Sequence, residues 1–192
     1  MVFDGIVISI ILALIRGGSF RSFADLRLKG GWIFPILLIV QIVIFNLQSQ
    51  IAWIASLSNY AFIAVYVIGL LFLWLNRHQS GFIVIFIGVL LNFIVMAANG
   101  GRMPVSLEAA TILDPYFGQI IQEGVYAKHQ LLTDASWFGF LGDIIPITKP
   151  YPRDQVISIG DVVMNVGIFL FIQKLMLTKN DKLTEEIALE TK

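Results

Sequence analysis

Two aspartates are the strongest candidates for catalysis in this sequence. Asp143 is flanked by apolar residues, and Asp161 follows eighteen residues later inside a long apolar stretch. Two carboxylates in a partly desolvated site cannot both ionise easily, so they share one proton and leave one group as base and the other as acid. This pairing is typical of an aspartic hydrolase, in which one carboxylate activates water and the other protonates the leaving group. The alternative is structural: Asp143 caps a helix, and Asp161 pairs with an arginine.

Polar residues around Asp161 repeat with helical spacing. Ser158, Asp161 and Asn165 are spaced i, i+3 and i+7, which places them on one face of a helix. In a helix that begins near residue 156, Asp161 is expected about 7–8 Å below the helix start, at about 1.5 Å per residue. Because charged side chains inside a membrane are costly, we expect this stripe to face the interior of a helix bundle or a water-filled cavity.

A second polar cluster begins at the end of the fourth apolar stretch. Asn92 and Asn99 are seven residues apart on one helix face, and Arg102 follows two glycines that are typical of a helix C-terminus. Arg102 has two open roles. It neutralises Asp143 or Asp161, or it binds a substrate carboxylate or lipid phosphate through two hydrogen bonds.

The sequence offers little to hold a metal ion. It contains no cysteine and two histidines, which excludes thiolate ligands, cysteine nucleophiles and disulfides. A zinc site would have to combine His129 with Asp143, Asp161 or Glu108, and their spacing matches no ligand pattern. We therefore expect no metal and no other cofactor. The candidate substrate-binding residues are Asn99, Arg102, His129, Ser158 and Asn165.

Composition predicts an all-α, polytopic membrane protein. Hydrophobic residues make up 57% of the chain and charged residues 14%, against about 25% charged residues in soluble domains. The formal net charge is zero, which argues against nucleic acid as a partner and leaves membrane lipids as the expected one. A bilayer core about 30 Å thick needs roughly 20 apolar residues per spanning helix. Five spans are predicted at about 2–15, 32–48, 52–75, 82–98 and 156–177, within one membrane domain (1–177) followed by a cytoplasmic tail (178–192).

The distribution of basic residues predicts the orientation of these spans. Nine lysines and arginines lie in the segment 16–31, the turn 76–80 and the tail from Lys174, whereas residues 99–155 hold four bases and six acids. Because cytoplasmic loops are enriched in lysine and arginine, we expect the N-terminus outside and the C-terminus inside a bacterial plasma membrane. Residues 2–15 lack the basic start of a signal peptide, so we expect a retained helix. Residues 99–155 then form an outer helical cap between the fourth and fifth spans, with amphipathic helical stretches over 106–122 interrupted at Asp114-Pro115.

The motif Asn-Gly-Gly-Arg-Met-Pro-Val-Ser at 99–106, with Leu-Gly-Asp-Ile-Ile-Pro at 141–146 and Ser-Ile-Gly-Asp at 158–161, resembles an uncharacterised bacterial integral-membrane family. That resemblance spans nearly the whole chain and implies no activity. More distantly, residues 142–145 and 157–161 resemble the two aspartate segments of lipoprotein signal peptidase, an aspartic peptidase of the bacterial membrane surface. This second resemblance implies a dyad of Asp143 and Asp161 at the outer face. The chain differs from that family in Ser158, where the family has asparagine, and in an additional first helix.

Together these patterns predict a membrane-embedded aspartic hydrolase that acts on a membrane-anchored peptide or lipid at the outer face. Asp143 and Asp161 are its expected catalytic residues. Two non-enzymatic alternatives stay open: a protein that binds or transports a lipid or small solute, and an accessory subunit of a larger membrane complex.

Overall fold

The computed structural model describes residues 2–47, 51–124, 128–151 and 153–190. This part of the chain is mostly helical and contains eight helices. Five of these helices coincide with the predicted apolar stretches. They are α1 (Val2–Ile15), α3 (Ile33–Leu47), α4 (Ala52–Leu75), α5 (Phe82–Ala98) and α8 (Ile159–Glu190), and a short α2 (Arg21–Ala24) follows α1.

The segment 99–155 contains strands as well as helices. Residues 106–122 form two helices as predicted, α6 (Leu107–Leu113) and α7 (Pro115–Glu123), and Asp114 accepts the Tyr116 amide as the N-cap of α7. The strands were not predicted. Strand β1 (Met103–Val105) pairs in parallel with β2 (His129–Leu131), and β3 (Ile145–Ile147) pairs antiparallel with β4 (Gln155–Ile157).

The long helices pack side by side in the order α3, α4, α5, α8, α1, and α8 makes the most extensive contacts. Glycines let α5 and α8 approach closely: a Cβ added to Gly88 would lie 2.5 Å from the carbonyl oxygen of Gly160 and 2.5 Å from the amide nitrogen of Met164. The rings of Phe82 and Phe171 meet edge to face, with 5.0 Å between their centroids. Backbone contact therefore fixes the register of α5 against α8.

The three base-rich segments lie at the same end of this helix layer, which we call the basic end. Buried Asn76 joins two of them, since its Oδ1 accepts the Lys29 amide at 2.8 Å and its Nδ2 donates to the Lys29 carbonyl at 2.9 Å. The third is joined by the Ser19 amide, which donates to the Met176 carbonyl at 3.0 Å. The segment 99–155 lies at the opposite end.

Within the described residues, two helices are long and apolar enough to cross a membrane by length and composition, at Leu57–Leu75 and Ile159–Leu177. They are mostly unburied, with 33% and 28% of the apolar window inside the protein, unlike the core helices of a soluble protein. Three further apolar helices are shorter, at Gly5–Ile15, Ile33–Ile44 and Phe82–Ala98. This composition points to association with a membrane.

The α5–α8 contact yields a direct test by substitution. Gly88→Ala should destabilise the protein by about 1–3 kcal/mol, because the added methyl group meets backbone atoms that cannot move aside independently. Thermal unfolding of the purified protein in detergent measures the effect. Gly69→Ala in α4 is the matched control, since nothing lies within 4 Å of the added Cβ, and an equal loss in both variants would contradict the packing described here.

Candidate functional site

The start of α8 is held by a closed set of hydrogen bonds that includes Asp161. The Ser158 Oγ accepts the Asp161 amide at 3.0 Å, and the Asp161 Oδ2 accepts the Ser158 amide at 3.1 Å. This reciprocal pair is a capping box, with aspartate in the place of the usual glutamate. Asn92 of α5 completes it: its Nδ2 donates to Asp161 Oδ1 at 3.0 Å, and its Oδ1 accepts the Ser158 hydroxyl at 2.8 Å.

Asp161 therefore lies in the first turn of α8, and the expectation that the helix begins near residue 156, well before Asp161, is wrong. Residues 155–157 form β4 instead of helix, so α8 begins at Ile159. In the first turn a carboxylate meets unpaired backbone amides and the positive end of the helix dipole, which stabilise its charge. Among the described residues, Asp161 is held by Ser158 and Asn92, and it does not pair with an arginine as the structural alternative expected.

The stripe of polar residues on α8 faces inward. Ser158 is fully buried, and Asn165 is 9% exposed. Asn165 Nδ2 donates to the Asp161 carbonyl at 2.8 Å, and its Oδ1 faces Gly5 of α1. This polar face of α8 therefore packs against α1 and α5.

Asp143 is buried in the segment 99–155, close to β1. Its backbone amide donates to the Pro104 carbonyl at 2.9 Å, and its carbonyl accepts the Ser106 amide at 3.0 Å. Its side chain pairs with His129, with 3.4 Å between Oδ2 and Nε2. Within the described residues, Asp143 Oδ1 and His129 Nδ1 are buried and have no hydrogen-bond partner.

Arg102 is buried beside α4 and is not paired with either aspartate among the residues that the structure describes. Its Nη2 donates to the Ser58 Oγ at 2.9 Å, and its guanidinium carbon lies 5.8 Å from the centre of the Phe62 ring. Burial lowers the pKa of Arg102 below its ordinary value. Its Nη1 and the Asn59 Oδ1 are buried and find no partner in the described part of the chain.

Lys128 interacts electrostatically with both Asp143 and Asp161. The pKa of Lys128 is raised: loss of water around the ammonium group lowers it, but nearby acidic groups, Asp143 and Asp161 among them, outweigh that effect. The Lys128 carbonyl also accepts the Met103 amide at 2.7 Å. Both carboxylates thus favour the charged form of Lys128, which lies at an exposed position.

Asn99 has a structural position at the end of α5. Its Nδ2 donates to the carbonyls of Val95 at 2.7 Å and Trp137 at 2.8 Å, and its Oδ1 accepts the Trp137 amide at 3.0 Å. It therefore connects α5 to the aromatic residues of the segment 99–155, and its amide group is fully engaged.

We call the polar side chains gathered at this end of the protein the polar cluster, and most of them are buried or half-buried: Ser58, Asn59, Tyr66, Asn92, Arg102, Lys128, His129, Asp143, Ser158 and Asp161. Its members come from α4, α5, α8 and the segment 99–155, and sequence reasoning missed four of them: Ser58, Asn59, Tyr66 and Lys128. A signal was present, since Ser58, Phe62 and Tyr66 follow one another at four-residue intervals on one face of α4. No group of three or more metal-ligating histidine, cysteine, aspartate or glutamate side chains occurs in the ranges described.

The fold and the polar cluster define a mostly helical protein with apolar long helices and a buried polar site at one end. The chain belongs to a family of unknown function, DUF5317, whose model matches residues 25–173. The expected membership of an uncharacterised family is confirmed. An uncharacterised protein of Thermotoga maritima is 30% identical to this chain over 171 residues, which cover 89% of each protein. No solved structure matches the chain.

The closed set of hydrogen bonds at α8 predicts strong coupling between two helices. Asn92→Ala and Asp161→Ala should each lower stability by about 1–2 kcal/mol, because each leaves buried partners unpaired. In the double variant the two losses should overlap, with a coupling of about 0.5–3 kcal/mol in a double-mutant cycle. Thermal unfolding in detergent provides the readout. Asp154→Asn, an exposed acid near the same end, is the control, and additive losses at positions 92 and 161 would contradict the coupling.

Proposed function

We propose that this protein spans the bacterial plasma membrane five times and binds a polar head group in the polar cluster at the outer face. The ligand has both an anionic group and a hydrogen-bond donor, as in a lipid head group or a small zwitterionic solute. Binding is the activity that the arrangement of charges supports best.

Five spans are supported by the apolar side chains that the long helices leave uncovered. Val7 and Ile11 on α1, Ile39 on α3, Leu71 on α4 and Val166 on α8 are each at least half exposed. Soluble monomers rarely expose contiguous apolar surface on this scale. Lipid chains are the surroundings in which such side chains are stable.

The orientation is supported by the gathering of basic residues at one end. Arg27, His78 and Lys174, from the three base-rich segments, line one cavity there. Lysine and arginine are enriched on the cytoplasmic side of membrane proteins. In the proposed orientation, the polar cluster and the segment 99–155 lie outside.

Single cysteines test this orientation cleanly, since the chain contains none of its own. Ala135→Cys lies at an exposed position of the segment 99–155, and Ser80→Cys lies at an exposed position of the basic end. A maleimide that cannot cross membranes should label Ala135→Cys in intact cells and Ser80→Cys only after permeabilisation. The reverse pattern, or equal labelling of both, would contradict the proposed topology.

The buried, partly unpaired guanidinium of Arg102 is the observation that carries the proposed binding. A buried charge without its full set of hydrogen bonds is costly, and Arg102 Nη1 has no partner in the described residues. An anionic ligand group would supply one. Asp143 Oδ1 and Asn59 Oδ1 are buried acceptors without partners in the same ranges, and they would accept from an amine or hydroxyl group of the same ligand.

Binding of defined head groups tests this proposal. Short-chain phosphatidylethanolamine should bind the protein in neutral detergent, and Arg102→Gln and Asp143→Asn should each weaken binding about tenfold, since each removes the charge from a side chain that hydrogen-bonds the ligand. Native mass spectrometry measures the bound fraction. Arg153→Gln, at an exposed position of the same segment, is the matched control.

Phosphoethanolamine, which lacks the acyl chains, separates a lipid from a soluble ligand. Binding of both compounds with the same loss in the variants would indicate a head-group or solute site, and binding of the lipid alone would indicate a lipid site. Binding that is unchanged in Arg102→Gln and Asp143→Asn would reject the polar cluster as the site.

An aspartic hydrolase is the second candidate. The resemblance of residues 142–145 and 157–161 to lipoprotein signal peptidase supports it, as does the common influence of Asp143 and Asp161 on Lys128. Asp143, with one oxygen free of described partners, is suited to act on water. Asp161 accepts a hydrogen bond at each oxygen, so its contribution would be to orient and to stabilise charge.

The two candidates can be distinguished by comparing three kinds of cells: those with the protein, those without it and those carrying Asp143→Asn. The membrane peptides and lipids of each are analysed. A hydrolase leaves an uncleaved substrate that accumulates in cells carrying Asp143→Asn as it does in cells without the protein. A binding protein without hydrolytic activity produces no such species.

A further inference from the structure

The basic end contains a second polar cavity that is separate from the polar cluster. Its volume is about 620 Å³, and it lies between α2, the turn after α4 and the inner half of α8. Its polar lining consists of Ser22, Asp25, Arg27, His78, Gln79, Ser80 and Lys174.

The charge in this cavity is predominantly basic. Arg27 and Lys174 contribute two formal positive charges, and Asp25 contributes one negative charge. His78 adds a ring that both donates and accepts hydrogen bonds when neutral and only donates when protonated. A ligand held among these groups gains most if it is an anion.

Ser22 provides an independent indication of a ligand. It lines the cavity and is 7% exposed, yet its Oγ has no hydrogen-bond partner among the described residues. Buried hydroxyl groups in folded proteins are almost always paired. The hydroxyl group therefore has a donor and an acceptor position available to whatever occupies the cavity.

The shape of the lining indicates how such a ligand would lie. Leu26, Phe171 and Leu175 form an apolar part of the wall next to the basic groups. Phe20, just before α2, and Phe23, within it, are 55% and 37% exposed, and their ring centroids lie 6.1 Å apart. Exposed aromatic rings beside basic residues are typical of segments that lie at the membrane interface.

We propose that this cavity binds a phosphate group, with Arg27 and Lys174 neutralising its charge and the Ser22 hydroxyl donating a hydrogen bond to it. The phosphate comes from an anionic phospholipid of the cytoplasmic leaflet or from a free phosphate ion. Arginine and lysine are the side chains that bind phosphate oxygens most effectively. This site does not depend on the ligand of the polar cluster, because the two share no residue.

The test compares three variants of the full-length protein. Arg27→Gln and Ser22→Ala should each weaken phosphate binding, by about tenfold for the arginine and by a smaller factor for the serine. Arg21→Gln is the matched control. Like Arg27→Gln it removes one positive charge, but Arg21 lies on α2 and does not line the cavity. Ser22→Ala should leave the thermal unfolding midpoint without ligand unchanged or higher, since it removes an unpaired buried hydroxyl.

Two experiments decide whether the phosphate belongs to a lipid or is a free ion. Protein in neutral detergent is titrated with inorganic phosphate, and protein in nanodiscs of phosphatidylcholine, with or without phosphatidylglycerol, is analysed for retained lipid by native mass spectrometry. Retained phosphatidylglycerol that is lost in Arg27→Gln but kept in Arg21→Gln would establish a lipid site, and saturable binding of inorganic phosphate with the same pattern would establish an ion site. Binding of neither anion, or equal loss in Arg21→Gln and Arg27→Gln, would overturn the proposal.

Discussion

The contact between α5 and α8 is the constraint on which the rest of the structure depends. Gly88 lies directly against the backbone of Gly160 and Met164, so the helices meet through main-chain atoms and cannot slide past one another. At one end this register brings Asn92 level with Ser158 and Asp161. At the other end it brings Phe82 against Phe171. The same pair of helices thus positions Asn92 in the polar cluster and Phe171 in the wall of the second cavity.

The polar cluster follows from this register and from the segment that joins the two helices. Because α5 ends at Ala98 and α8 begins at Ile159, the residues between them must return to nearly the same place. The short pairings of β1 with β2 and of β3 with β4 close this path and satisfy backbone groups that would otherwise be buried without partners. The β1–β2 pairing sets Met103 beside His129, and a separate bridge between Val105 and Asp143 holds Asp143 against Pro104. His129 and Asp143 meet because both lie against β1, which begins one residue after Arg102.

The sequence predicted the helices well, and the contacts between them poorly. The bounds 52–75 and 82–98 matched because each apolar run ends at a polar or glycine residue, as at Asn76 and Asn99. The start of α8 was misplaced because β4 forms only by pairing with β3, which no local pattern reveals, although Ser158-x-x-Asp161 is a local capping signal. The contact of Arg102 with Ser58 crosses 44 residues, and nothing in either segment specifies the other. Non-local pairing therefore accounts for what sequence reasoning missed.

The physical roles of the two aspartates differ more than their sequence surroundings suggest. Both stand in apolar segments, and both influence Lys128. Asp161 has its charge stabilised by a helix N-terminus and by Asn92, so it is tied to the stability of the α5–α8 pair. Asp143 pairs with His129 through one oxygen, while the other is buried without a partner in the described residues. A carboxylate held in this way is more reactive toward a ligand than one whose oxygens are both engaged. Any chemistry or binding at this end is therefore expected to centre on Asp143 and Arg102, with Asp161 maintaining the framework around them.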